Sequence, residues 1–269
     1  MIAAGLHLLA CMAVFSLVEW LWPSSAPHKW WRRPVFVDLL SWLILPLAVS
    51  AGIASGVIMS EALVAACPQQ GFWNWALQMR IQTGGLLLPI QIAIAFVALD
   101  FLSYWIHRAY HRVPFLWSFH VMHHTSEELD WLSTLRLHPV SQIVDTAIVA
   151  GLLLLAGVSL KAVIAANALV GFFAVLAHAN IKWTFGPFQH VFVSPVFHHW
   201  HHARHDGGIT LQPTANFGAA LSIWDRIFGT SLQDGDRPAC FGVEGAPAQN
   251  LWSLVLHPLK FCLRTFRKR

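Results

Sequence analysis

Charge is scarce in this chain. Only 11% of its 269 residues are Asp, Glu, Lys or Arg, against about 25% in an ordinary soluble domain. Hydrophobic residues make up 56% and the mean hydropathy is +0.55, so the deficit points to a bilayer as the main solvent. Cysteine is scarce as well. Cys11, Cys67, Cys240 and Cys262 are scattered and form no CxxC pair, which gives no support for a disulfide framework, a zinc ribbon or an iron–sulfur cluster. No linker rich in Ser, Pro or Gly, no repeat and no low-complexity tract divides the chain. The net charge of +4 does not argue for nucleic acid, because the basic residues flank apolar segments, where they set membrane topology.

A spanning helix needs about 20 mostly apolar residues. Five stretches are candidates: Ile2–Trp22, Val35–Met59 with a kink expected at Pro46, Leu86–Ile106, Ile143–Val158 and Ala162–Ile181. The first has no basic leader and no small-residue cleavage site, so it reads as a retained helix rather than a signal peptide. The last two form a tight hairpin around Gly157–Lys161, and the fourth is short for a full crossing. The expected fold is an all-α polytopic membrane protein with four to five transmembrane helices and a helical, histidine-rich domain. Its expected parts are residues 1–85 (N-terminal helices and loops), 86–232 (the histidine-rich domain) and 233–269 (a C-terminal tail with a candidate amphipathic helix).

Loop charges orient the spans. His28-Lys-Trp-Trp-Arg-Arg33 is strongly basic and reads as cytoplasmic. The connection from Ser60 to Gly85 has only Glu61 and Arg80 and reads as outside. Arg108, Arg112 and Arg136 then read as inside, Lys161 at the hairpin tip as outside, and Arg264-Thr-Phe-Arg-Lys-Arg269 as inside. Every histidine cluster then falls on the cytoplasmic face, of the inner membrane in a bacterial cell.

Histidine is what the chain has in excess. There are 16, and leaving out His7, His28 and His257 puts 13 between His107 and His205. His107 and His111 are four apart and share a helix face. His120, His123 and His124 share another, and the same HxxHH spacing recurs at His198, His201 and His202. His178 sits at the end of the fifth span, and His138 precedes Pro139. One such residue alone is an ordinary core or surface histidine. Packed together without metal, eight imidazoles would repel when protonated or leave nitrogens unsatisfied when neutral. Eight or more nitrogens exceed what one tetrahedral ion takes, so the count suits two ions. Imidazole suits Zn, Cu, Fe and Ni alike. Asp100 and Tyr104 continue the His107 face into the span. Asp100 is a candidate to hold a ligating imidazole, against the plainer reading of a packing carboxylate bonded to backbone or Tyr104.

These residues resemble the fatty acid hydroxylase / sterol desaturase superfamily of membrane di-iron oxygenases. The matching stretches are D-x₃-YW-x-HR-x₂-H from Asp100 to His111, Leu116-Trp-Ser-Phe-His120-x₂-His123-His124, Leu135-Arg-Leu-His-Pro139, His178-Ala-Asn180, Pro195-x-Phe-His198-x₂-His201-His202, Asn216-Phe-Gly218 and Trp224–Thr230. The resemblance covers about Leu99 to Thr230. It implies two ferrous ions held by His107, His111, His120, His123, His124, His198, His201 and His202, with His178 as a ninth ligand. Where one branch of the superfamily has a further histidine this chain has Lys182, and His138, Asn180 or a water is the candidate replacement. His190, His199 and His205 read as surface residues or as supports for the ligands. Asn216, Trp224 and Asp225 read as structural braces, or more plainly as a loop cap and a helix start. Arg204 and Arg226 read as serving folding or headgroup contact.

The resemblance further implies O₂ as co-substrate, a lipid substrate entering from the bilayer, and electrons from an external ferredoxin- or cytochrome-type donor, since no haem, flavin or nucleotide motif stands out. Hydroxylation is the leading outcome and desaturation the alternative. A membrane metal transporter or store is the rival outside enzymology, disfavoured because the histidines gather at helix ends instead of mid-membrane. The oligomeric state is not legible.

Overall fold

The computed structural model describes residues 2–25, 34–68, 70–204, 215–233, 235 and 237–266. The basic segment 28–33, His205 and residues 267–269 lie outside them, and so do those parts of the charge argument for orientation. Eleven α-helices are present among the described residues and no β-strand is, only isolated bridges.

α1 (Ile2–Leu21) is followed by α2 (Val35–Ala66), which runs unbroken through Pro46. α3 (Gly71–Gly84) then leads to α4 (Leu88–Arg112). The stretch expected to be an outer connection is thus mostly helix: α2 continues seven residues past Met59 and α3 fills the rest. α3 mixes polar with apolar residues, so no long apolar run marks it in the sequence. α5 (Pro114–His124) follows at once. Pro114 has no N–H to continue α4, and the residue before it is pushed out of helical geometry. Val113 accordingly sits at φ −105° and ψ 113°. A 3₁₀ turn (Trp131–Leu135) leads to α6 (Pro139–Leu155) and α7 (Leu160–His178), and another 3₁₀ turn (Gly186–His190) leads to α8 (Pro195–His201). α9 (Ile223–Ile227), α10 (Leu251–Val255) and α11 (His257–Phe266) complete the chain.

Among the described residues three helices are long and apolar enough to cross a membrane: α2, α4 and α7. α6 is apolar but has 17 residues, so at 1.5 Å per residue it reaches roughly 25 Å against a hydrocarbon core of about 30 Å. The connection between α6 and α7 is as short as expected, yet each helix finds its main partner elsewhere: α6 lies along α2, and α7 along α4. Small residues permit the first pairing. A Cβ added at Gly52 would stand 2.6 Å from Thr146 Cβ, and one at Gly56 would stand 2.9 Å from the Ala147 carbonyl oxygen. Gly157 turns the α6–α7 connection at φ +88°, where a Cβ would also collide with the Arg80 carbonyl of α3. The α4–α6–α7 core is built from Ala95, Leu99, Val149, Ala150, Leu153, Ala162, Val163 and Ala166.

One buried ion pair ties the far ends together. Arg136 meets Asp38 of α2 through Nε at 2.7 Å and NH2 at 2.6 Å, with both side chains wholly buried. The guanidinium also donates to Thr125 and Gln249. The arginine that sequence assigned to membrane topology therefore locks α2, the end of α5 and the C-terminal region to one another.

Candidate metal centre

Four elements deliver the histidines to one place. α4 ends on His107 and His111. Pro114 reverses the chain into α5, which carries His120, His123 and His124. α7 ends on His178. Ser194 caps α8 by accepting the Phe197 N–H at 3.2 Å, and Pro195 starts the helix that carries His198, His201 and His202.

The nine rings sort into two groups. His107, His111, His120, His124 and His201 form one, and His123, His178, His198 and His202 the other. Within each group the candidate ligand nitrogens all lie within 4.8 Å of one another. Each HxxHH motif is split. Its first and last histidines, four apart, serve one group, and the middle one, three along, serves the other. His120 and His124 thus join the first group while His123 crosses to the second; His198 and His202 join the second while His201 crosses to the first.

The spacing fits metal ligation. Nε2–Nε2 distances are 3.3 Å for His107–His111, 3.3 Å for His120–His124, 3.1 Å for His123–His178, 3.3 Å for His178–His198 and 3.1 Å for His198–His202. Two nitrogens each about 2.1 Å from a shared ion stand roughly 3.0–3.4 Å apart. Tautomers fit as well. His107 Nδ1 donates to the Phe217 carbonyl at 2.8 Å, His178 Nδ1 to that of Ala174 at 2.7 Å, and His201 Nδ1 to that of Ala215 at 2.8 Å. A proton held on Nδ1 leaves the Nε2 lone pair for an ion. Nδ1 of His111, His123 and His198 is buried without a hydrogen-bond partner among the described residues. Burial holds His120, His123, His124, His198 and His202 well below the usual imidazole value of 6.5, and neighbouring imidazoles push the same way. They are neutral at pH 7, the form that ligates.

Three of the remaining sequence candidates stand apart from these groups. His138 caps α6, accepting from Val140 N–H at 3.2 Å, and its Nε2 is bonded to the Val255 carbonyl at 3.0 Å. Both its nitrogens are committed, so it does not replace the histidine absent at Lys182. Asn180 accepts from the Ser25 hydroxyl at 2.9 Å. Asp100 holds no imidazole among the described residues. Its carboxylate accepts from the Ala220 and Leu221 N–H groups at 2.8 and 3.1 Å and from Trp224 Nε1 at 2.9 Å. Placed on the same α4 face as His107 but nearly two turns away, it meets the loop before α9 instead of the metal groups.

That loop orients two of the imidazoles. Asn216 adopts φ +61°, donates to the Phe197 and Leu232 carbonyls, and accepts from Leu232 N–H. Asp225 accepts from the N–H groups of Phe217 and Gly218, both at 2.8 Å, and from the Thr230 hydroxyl at 2.7 Å. The segment so fixed presents the Ala215 and Phe217 carbonyls to His201 and His107. His199 is buried, not a surface residue, and its Nε2 is bonded to the Ala179 carbonyl beside His178 at 3.0 Å. Sequence reasoning passed over Glu19 as well, whose carboxylate accepts from Trp131 and Asn180 N–H. It stands out in the sequence only as an acid in an otherwise apolar segment. The carbonyls that hold the imidazoles left no signal at all, since every residue has one.

The sequence model of the family described as fatty acid hydroxylase matches residues 92–230. That stretch is more than half of the chain and contains all nine histidines. The chain belongs to the fatty acid hydroxylase family. Among curated proteins this family member is 26% identical over 261 residues to the ornithine lipid hydroxylase OlsE of Rhizobium tropici, covering 93% of the chain and 73% of that protein. It is 32% identical over 145 residues to the alkylglycerol monooxygenase of Danio rerio and 32% over 137 residues to that of Homo sapiens. Those two alignments span 54% and 51% of the chain but 31% and 29% of the relatives. No solved structure matches it. With three span-length apolar helices, this fatty acid hydroxylase family member is an integral membrane protein.

Proposed function

We propose that the protein is an O₂-dependent di-iron monooxygenase that hydroxylates a C–H bond of a membrane lipid. The observation that carries the reading is the sorting of nine histidines, seven buried and two partly buried, into a group of five and a group of four. His107, His111, His120, His124 and His201 would hold one iron, and His123, His178, His198 and His202 the other. The all-nitrogen donor set suits iron among other divalent metals, and the resemblance to membrane di-iron oxygenases supports iron. When bound, the iron pair supplies reductive O₂ activation: the lipid C–H, O₂, two electrons and two protons give an alcohol and water.

The chain's own part is positional. Carbonyls of Ala174, Ala215 and Phe217 fix the ring orientation of His178, His201 and His107. Burial keeps the imidazoles neutral and limits the access of water. In this reading residues 1–85 anchor the protein, 86–232 carry the chemistry and 233–269 brace it. The site faces the cytoplasm, where an external ferredoxin- or cytochrome-type donor supplies the electrons.

The near full-length match to an ornithine lipid hydroxylase makes amino-acid-headed acyl lipids the first substrate class to test. Lipid extracts of cells with and without the gene, compared by mass spectrometry, should differ by one added oxygen atom on one lipid class. Loss of two hydrogens instead would make it a desaturase. No change, together with zinc flux in proteoliposomes, would replace the enzyme with a transporter.

A further inference from the structure

The C-terminal segment carries apolar side chains on two opposite faces. On one, Leu254 is buried with Val37 of α2 and Met122 of α5, and Pro258 is buried too. α10 and α11 both pack on α5, and His257 Nδ1 is bonded to the Ser118 carbonyl at 3.0 Å. On the other face Trp252, Leu256, Leu259 and Leu263 are 73%, 41%, 58% and 55% exposed.

Those four residues form one stripe. Leu256 N–H donates to the Trp252 carbonyl at 3.0 Å and Lys260 N–H to that of Leu256 at 3.1 Å, so the helical winding carries across the joint between α10 and α11. At about 100° per residue the four side chains fall within roughly 60° of arc. Exposed Lys260 and Arg264 lie on one flank, and Arg267-Lys-Arg269 follows outside the described residues.

A second exposed apolar row begins near the stripe. Val140, Val144, Ile148 and Leu152 of α6 are exposed at intervals of four, one row along the helix. That row begins two residues after His138, whose Nε2 is bonded to the Val255 carbonyl within α10.

We propose that α10 and α11 form an interfacial helix lying on an anionic lipid surface. Trp252, Leu256, Leu259 and Leu263 enter the headgroup–acyl boundary, and Lys260 and Arg264 meet the phosphates. A tryptophan and leucine face bordered by basic residues is the pattern of helices that lie in a bilayer interface. The opposite face grips α5, which carries His120, His123 and His124, so the segment would set the histidine groups at a fixed height above the bilayer. The inference rests on the chain's residence in a membrane and not on the identity of the metal or substrate.

Single cysteines placed at Leu259, Leu263 and Lys260, with the four native cysteines replaced, allow spin labels to report their surroundings in the full chain. The vesicles are phosphatidylcholine with phosphatidylglycerol. Labels at 259 and 263 should relax with O₂ and not with a water-soluble nickel chelate, and the label at 260 should do the reverse. Relaxation by the chelate at 259 and 263 would place the stripe in water, and silence to both reagents would place it under a protein, either a second copy or an electron donor. Either result overturns the proposal. If the cysteine-free chain does not fold, trypsin cleavage after Lys260 and Arg264 in sealed-in, native-sequence protein decides instead. Leu259→Asp with Leu263→Asp should speed that cleavage by roughly tenfold or more, because two leucines that hold the helix in lipid are lost. An unchanged rate overturns the proposal.

Discussion

His178 Nε2 lies 3.1 Å from His123 Nε2, although the two stand on different helices 55 residues apart. His178 also lies 3.3 Å from His198 through Nε2. It therefore joins α5 and α8 within the four-histidine group. His178→Ala should lower iron from two ions to about one per chain, abolish lipid oxidation and leave membrane insertion intact. Metal analysis of the purified variant checks this, and retention of both ions would remove His178 from the ligand set.

His138 supplies the contrasting case. Its two nitrogens are bonded to Val140 N–H and the Val255 carbonyl. His138→Ala should keep both irons and cost about 1 kcal/mol of stability through the lost hydrogen bonds. Iron content together with thermal unfolding in detergent separates this outcome from loss of a ligand.

Asp225 is expected to matter for activity without touching the metal. Asp225→Ala removes the acceptor for Phe217 N–H, Gly218 N–H and the Thr230 hydroxyl, freeing the segment whose carbonyls orient His107 and His201. Iron should be held less tightly, measured as faster loss to a chelator. Asn216→Ala should act in the same direction, because it leaves the Phe197 and Leu232 carbonyls without their donor.

Arg136→Leu takes away the guanidinium that lies against wholly buried Asp38. Removing one partner of a buried pair costs about 3–5 kcal/mol, so this variant should aggregate at markedly lower temperature. Replacing both residues together by apolar ones of similar size should recover much of that loss, read by the same melting assay.

Acid should unfold the metal-free protein through its histidines. In the fold, burial depresses His120, His123, His124, His198 and His202 well below 6.5. As pH falls through 6.5 the unfolded chain takes up protons that the folded chain refuses, so stability present above that value is lost below it. Bound iron competes with those protons and should move the acid transition to lower pH. Tryptophan fluorescence against pH, with and without iron, tests the sign.

Much of the site was legible because its spacing is a property of the helix. Residues three and four apart meet on one face whatever surrounds them, so HxxxH and HxxHH announced convergent imidazoles. The division of each HxxHH motif between two histidine groups was not legible, because it depends on which neighbouring helix lies on either side of α5 and α8. Asp100 shows the same limit. Its place on the His107 face was correct, but the choice between an imidazole and the Ala220–Trp224 segment belongs to a contact 120 residues away.

By itself the sequence determined the membrane as solvent, through the shortage of charge and the length of its apolar runs, and it determined which imidazoles share a helix face, through helical periodicity. Tertiary structure alone decided that α6 lies along α2, that Arg136 meets Asp38, that His138 stays outside the centre, and which carbonyls hold the imidazoles. Those are long-range pairings of groups common to many positions, and packing selects among them where local spacing carries no information.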